Sequence, residues 1–320
     1  MKILVTGGSG FIGNCFIKLL LKKYPQYSVI NLDKLTYAGN KDNLKEVEHD
    51  PRYTFVQGDI CDIPLVNRLI RDVDVIVNFA AESHVDRSII HSDSFIRTDI
   101  FGMYVLLEAA KNNRQIKKFI HISTDEVYGD ILEGSFKETD RLFPSSPYSA
   151  SKAAADLLAL SYIRTHRVPV IITRSSNNYG PYQHPEKLIP CFATKLLEGK
   201  KVPLHNPHPI RNWIHVQDNC EAIDFIMQQG EIGEIYNIGG ETEKTNLEIT
   251  TLILDALGVD SSFIEHVSDR KGQDMRYSLN SEKIHRLGWK PRMTFDQGIQ
   301  ETIRWYRENI NWWKKVNRII

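Results

Sequence analysis

Short apolar runs recur through the first half of the chain: Ile3–Thr6, Val29–Leu32, Thr54–Val56, Val75–Phe79, Phe119–Ser123 and Val170–Thr173. Between them lie stretches with apolar positions at helical spacing, near Phe11–Tyr24, Leu65–Arg71, Ser92–Asn112 and Tyr148–His166. Unbroken apolar runs suit strands buried on both faces, and amphipathic stretches suit the helices that cover them. The alternation predicts an α/β fold, a doubly wound parallel sheet of Rossmann-like type. Near residue 180 the texture changes. Pro181, Pro185, Pro190, Pro203, Pro207 and Pro209 punctuate a loop-rich stretch, followed by helical patterns over Leu247–Leu257, Ser281–Leu287 and Phe295–Asn309. This divides the chain into residues 1–180, a cofactor-binding unit, and 181–320, a smaller mixed lobe. A late strand over 235–239 could return to the main sheet.

The first run feeds Thr6-Gly7-Gly8-Ser9-Gly10-Phe11-Ile12-Gly13 and then a helix. Gly7, Gly10 and Gly13 form a variant dinucleotide fingerprint, in which a tight turn lets backbone amides approach a pyrophosphate at the helix N-terminus. Asp33 ends the second run about twenty positions later, where a carboxylate can hold both adenosine ribose hydroxyls and oppose a 2′-phosphate. NAD is therefore expected rather than NADP, although Lys34 adjoins that carboxylate. Asp59, after the third run, reads equally as an adenine contact or as a helix N-cap.

Tyr148 and Lys152 stand four apart on one helix face, and Thr124 closes the fifth run. Ligands of open parallel sheets lie outside such strand ends. A lysine beside a phenol lowers its pKa, so Tyr148 can take an alcohol proton while NAD takes hydride, with Thr124 holding the oxygen. Asp125 and Glu126 follow at once. Adjacent strand residues face opposite ways, so both can meet one substrate only if the chain leaves strand geometry at Thr124. The pair could be surface carboxylates, but beside Thr124 it suggests an elimination. Oxidation of a sugar C4 hydroxyl acidifies C5–H; Glu126 would remove that proton and Asp125, its pKa raised, would protonate the departing C6 hydroxyl.

Composition narrows the alternatives. The chain has 320 residues with 42% apolar and 25% charged content, and forty basic residues balance forty acidic ones. No basic block marks a nucleic-acid or lipid surface. Cys15, Cys61, Cys191 and Cys220 lack zinc or disulfide spacing, which suits a reducing compartment, and no metal site is expected. Neither a signal peptide nor a membrane-length apolar run is visible, so the expected location is cytoplasmic.

These residues resemble the extended short-chain dehydrogenase/reductase family, and within it the dTDP-glucose 4,6-dehydratases. The resemblance rests on Asp33–Asn40, Ala80–Ser88, Ser123–Gly129, Ser175–Gln183 and Pro185–Pro190. It implies conversion of an NDP-hexose, dTDP-glucose first, to the 4-keto-6-deoxy sugar by C4 oxidation, loss of water across C5 and C6, and hydride return to C6. It also implies that Phe11, Ile12, Lys34, Thr36, Ile60, Ala80, Ala81, Thr98 and Asn178 join the glycines, Asp33 and Asp59 around NAD. Ser83 and His84 would border the hexose and nicotinamide. Asn177, Asn178, Glu186, Lys187, Leu188, Pro203, His205, Arg211, Asn246, Arg270, Gln273, Asp274 and Tyr277 would contact the nucleotide sugar. A homodimer through helices 92–112 and 148–166 is implied as well. Leu204-His205-Asn206-Pro207-His208-Pro209-Ile210 and Gly272-Gln273-Asp274 depart from the family's pattern. The base and C2 substituent thus stay open among dTDP-glucose, UDP-glucose and UDP-GlcNAc. An epimerase or 4-keto reductase using the same Tyr–Lys pair, and a non-enzymatic nucleotide sensor, are the rival readings.

Overall fold

A computed structural model describes residues 1–268 and 274–317. Its strands are β1 (Lys2–Thr6), β2 (Ser28–Asp33), β3 (Tyr53–Gln57), β4 (Val75–Asn78), β5 (Lys118–Thr124), β6 (Val170–Ser175), β7 (Asn177–Tyr179), β8 (Val202–Leu204), β9 (Ile210–His215), β10 (Ile235–Ile238), β11 (Thr242–Thr245) and β12 (Ile264–His266). Seven of them form one parallel sheet in the order β10-β6-β5-β4-β1-β2-β3. The chain starts in the middle, winds outward to β3, then crosses back to build the other half. That reversal opens a crevice at the carboxyl ends of β1 and β4.

Two apolar layers explain the unbroken character of the strands. Ile3, Val5, Val77 and Ile120 pack under helices Phe11–Lys23 and Val216–Gln229 on one face. Leu4, Ile76, Phe119 and Ile172 pack under helices Met103–Lys111 and Pro147–His166 on the other. Every residue of β4 and β6 is buried, and burial of each Val, Leu or Ile contributes about 1.5–3 kcal/mol.

Two expected elements differ. The helix expected over Ser92–Asn112 is interrupted: short helix Asp93–Phe95 runs into a π-helical segment, Ile96–Gly102, before regular helix resumes at Met103. From residue 177 onward the chain also contains short strands outside the runs expected to be strands. β11, β9 and β7 make one small sheet, and β12 pairs with β8 in another. A third apolar cluster, including Phe192, Trp213, Ile253, Ile303 and Trp313, lies under these sheets and their helices.

Candidate active site

The Gly-rich turn is built for close approach. Gly7 has φ +69°, and a Cβ there would lie 2.6 Å from the Ala80 nitrogen. At Gly13 a Cβ would lie 2.4 Å from the Gly7 carbonyl oxygen, so the helix starts directly against the turn. Gly10 caps helix Phe11–Lys23 without any side-chain hydrogen bond, which leaves the first-turn amides facing the crevice.

Asp33 ends β2 buried at 7% exposure. Ser9 N donates to its Oδ2 (2.8 Å) and Leu35 N to its Oδ1 (2.8 Å), fixing the Gly-rich turn and the left-handed Leu35 (φ 56°). Burial pushes its carboxyl up, and the two amides oppose that shift. Asp59 is not a helix cap: Asp62 caps helix Ile63–Leu69, while Asp59 pairs with Lys34 Nζ at 2.8 Å. The lysine beside Asp33 is thus committed to another carboxylate. A glycine cradle with a carboxylate at the next strand end fits a dinucleotide lacking a 2′-phosphate.

The cleft is lined by all of the expected cofactor residues: Gly7, Gly10, Phe11, Ile12, Gly13, Asp33, Lys34, Thr36, Asp59, Ile60, Ala80, Ala81, Ser83, Thr98, Tyr148, Lys152 and Asn178. It continues past Thr124, Asp125 and Glu126 to Asn177, Glu186 and Lys187. Tyr37, Glu82, Tyr182, His184, Trp312 and Val316 line it too, and none was singled out from sequence as a site residue. Tyr37 donates to Glu186 Oε1 at 3.1 Å and lies beneath the Arg87 guanidinium.

At the reactive end, β5 stops at Thr124 and the chain makes a 3-10 turn over Asp125–Val127. Thr124 Oγ1 accepts from Glu126 N (3.3 Å) and donates to Asp125 Oδ1 (3.1 Å). One hydroxyl therefore binds the Asp125 carboxyl and fixes the backbone that carries Glu126. Asp125 is buried, and burial together with the neighbouring Glu126 charge raises its pKa to about 7. Burial also raises Glu126, while the Lys187 and Arg211 cations pull it back. The two adjacent carboxyls thus sit in different charge environments, the Glu126 charge raising Asp125 while two cations offset the rise at Glu126, the kind of asymmetry an acid and a base require.

Helix Pro147–His166 presents Tyr148 and Lys152 to the same space, its start fixed by a Ser146–Ser149 capping box. The expected lowering of the Tyr148 pKa by Lys152 is not what the site alone produces. Lys152 Nζ donates to Ile122 O at 2.7 Å, and burial with the Glu126 and Asp99 charges pushes the phenol up, offset in part by a hydrogen bond with Thr124. Burial likewise lowers Lys152.

The remaining expected substrate residues spread outward. Lys187 Nζ donates to Ser83 O (2.6 Å), joining the two sides of the cleft. His84 caps helix Val85–Ile90 and does not line the cleft; its Nδ1 accepts from Arg87 N (3.4 Å). Arg211 Nη2 donates to Asp274 O (2.9 Å) and stacks over Tyr277, whose hydroxyl donates to Asp274 Oδ2 (2.5 Å); this group adjoins Glu126 electrostatically. Leu188 opens helix Leu188–Leu197, and Pro203 sits in β8. His205 contacts Ser268 O (2.7 Å), and Asn246 Nδ2 donates to Asn206 O (2.9 Å). Leu188, Pro203, His205, Asn246 and Tyr277 lie outward of the cleft lining, as do Arg211 and Asp274, which are nonetheless near enough to bear on the Glu126 charge. Arg270 and Gln273 lie outside the described residues.

Residues 4–302 match the family model described as GDP-mannose 4,6 dehydratase. The chain belongs to that family. It is 51% identical to a dTDP-glucose 4,6-dehydratase of Streptomyces niveus, covering 99% of this chain and 96% of that protein. The crystal structure of DesIV, a dTDP-glucose 4,6-dehydratase of Streptomyces venezuelae with NAD bound, superposes with a TM-score of 0.97 at 51% identity, covering 99% of this chain and 100% of that one. A dTDP-glucose 4,6-dehydratase of Bacillus anthracis in complex with NAD gives 0.93 at 49% identity, each chain being 99% covered.

Proposed function

We propose that this protein is an NAD-dependent dTDP-glucose 4,6-dehydratase, a lyase of deoxysugar biosynthesis. The observation that carries the reading is the turn after β5, where Thr124 bonds the Asp125 carboxyl and the Glu126 backbone amide and so places two carboxyls in different charge environments beside Tyr148. An epimerase needs the hydroxyl, phenol and ammonium but has no task for an acid–base pair.

NAD bound in the glycine cradle supplies the reversible hydride acceptor. Tyr148 takes the C4 hydroxyl proton, with Thr124 on the same oxygen. The resulting ketone acidifies C5–H, which Glu126 removes, and Asp125 protonates the C6 hydroxyl as it leaves. Tyr148 is pushed up by carboxylates that this cycle itself protonates or shields, so its ionisation is coupled to the state of Asp125 and Glu126.

Residues 1–180 would then form the cofactor and catalytic unit, and 181–320 mainly the nucleotide-sugar lobe, with Lys187 and Arg211 as diphosphate contacts. A homodimer is supported by exposed Ile89, Ile90, Ile96, Phe101, Tyr104 and Leu157, which lie on or beside the two helical stretches expected to pair. Exposed apolar side chains of this number along two helical stretches suit an interface with a second copy. No helix among the described residues is long and apolar enough to cross a membrane, and four free cysteines suit a cytoplasmic location.

The test is incubation of the purified protein with dTDP-glucose, UDP-glucose and UDP-GlcNAc, with products identified by mass and NMR. Expected is dTDP-4-keto-6-deoxyglucose without net NADH. A C4 epimer, or NADH in step with product, overturns the reading.

A further inference from the structure

Asp99 is a buried carboxylate with no part in the chemistry above. It lies at 3% exposure within the π-helical segment Ile96–Gly102. Such segments often mark functional sites, because the widened turn re-aims a side chain. Here it carries Asp99 between two other parts of the cleft. Ser151 Oγ donates to Asp99 Oδ2 at 2.6 Å, and Glu82 N donates to Oδ1 at 2.9 Å. Ser151 precedes Lys152, and its hydroxyl also contacts the Tyr148 carbonyl at 2.7 Å. Glu82 precedes Ser83 in the cleft wall. One carboxylate therefore spans the catalytic helix and the opposite wall.

Its charge balance is distinctive. Two buried carboxylates act on the Lys152 ammonium, Asp99 and Asp156. Asp156 has a cation of its own: Arg174 Nε donates to Oδ2 at 2.9 Å. The hydrogen-bond donors on Asp99 are a hydroxyl and an amide, both neutral. The cation that offsets its charge is Lys152, while the Glu82 carboxylate opposes ionisation. Burial pushes Asp99 up to about 6, and Lys152 with the two hydrogen-bond donors opposes that rise.

We infer that Asp99 is a positioning residue of the reaction proposed above: a dedicated counter-charge to Lys152 that also ties the catalytic helix to the Glu82–Ser83 wall. The assignment rests on that reading. Its charge raises both the Tyr148 phenol and the Lys152 ammonium. Removing it should therefore lower both.

The experiment compares pH profiles of kcat and kcat/KM for wild type, Asp99→Asn and Ser151→Ala with dTDP-glucose. Wild-type product formation checks the underlying dehydratase reading separately. In Asp99→Asn the side-chain amide keeps the shape of the carboxylate, can accept from Glu82 N and can donate to Ser151 Oγ. A nearby unit charge moves a pKa by roughly 1–3 units, so both limbs of the pH profile that Tyr148 and Lys152 set should move toward acid by about one pH unit. Ser151→Ala removes a donor that favours the ionised carboxylate, so it should shift both limbs the same way by less. Should Asp99→Asn not fold, the Ser151→Ala shift alone decides. A purely structural Asp99 would lower the amplitude and leave both limbs in place, and that result overturns the inference.

Discussion

Replacing Asp125 with Asn should make the protein more stable and nearly inactive, and the size of the gain follows from the site. Burial and the Glu126 charge lift the Asp125 pKa from 3.8 to about 7. In the unfolded chain the carboxyl loses its proton at its ordinary value, while the native state holds it. Below that value both states are protonated and there is no effect. As pH rises between the two values, the unfolded state is progressively favoured. At roughly 1.4 kcal/mol per unit, the native state is disfavoured by about 4 kcal/mol near pH 8 and by about 1.5–2 kcal/mol near pH 5. Asn carries no such charge, and its Oδ1 still accepts from Thr124 Oγ1. The stabilisation should thus be larger near pH 8 than near pH 5 by about 2–3 kcal/mol, measured by denaturant titration at both. Turnover should fall by about 10²–10⁴, with a 4-keto hexose retaining its C6 oxygen and NADH left on the enzyme. A gain independent of pH, or turnover near wild type, would refute the assignment of Asp125 as a buried acid.

Glu126→Gln cannot accept the C5 proton. Mass spectrometry in D₂O should therefore find solvent exchange at C5 abolished while C4 oxidation persists; continued exchange would assign the base elsewhere. Asp33→Ala should weaken NAD binding by about 1–3 kcal/mol by calorimetry, because it removes a ribose partner and also frees Ser9 N and Leu35 N. Unchanged affinity would show that Asp33 serves only the turn. Trp312→Ala should reduce NAD retention on gel filtration by roughly fivefold, the worth of about one hydrogen bond. Its indole donates to Asn43 Oδ1 (2.8 Å), whose amide donates to Ser9 O (2.9 Å) behind the Gly-rich turn. Full retention would mean that the C-terminal helix does not brace the cofactor site.

The large sheet was legible because its strands are buried on both faces, so runs such as Val75–Asn78 stand out without any alternation. The reactive turn was legible for a different reason. Thr124, Asp125, Glu126, Tyr148 and Lys152 lie close together in sequence within two segments, and strand geometry forces a turn if both carboxylates are to meet one substrate. The small strands lacked any such signal. β11, Thr-Glu-Lys-Thr, is only partly buried, and β8 carries Pro203 in its middle; both are defined by partners far along the chain.

Asp99 and Trp312 show why the rest of the site was hidden. An aspartate in an amphipathic stretch reads as solvent-facing, and only the π-helical turn swings Asp99 inward to meet Ser151, 52 residues later. Trp312 reaches the cofactor cleft by bonding Asn43, 269 residues away. In both cases nothing in the local sequence marks the residue, because its partner is distant along the chain. The groups that perform the proposed chemistry cluster by sequence because one strand end and one helix carry them. The groups that set their charge and brace the Gly-rich turn from behind arrive through tertiary packing. Substitutions at Asp99, Asn43 or Trp312 should accordingly alter pH dependence and cofactor retention while leaving the order of chemical steps intact, the opposite of the outcome at Asp125 and Glu126.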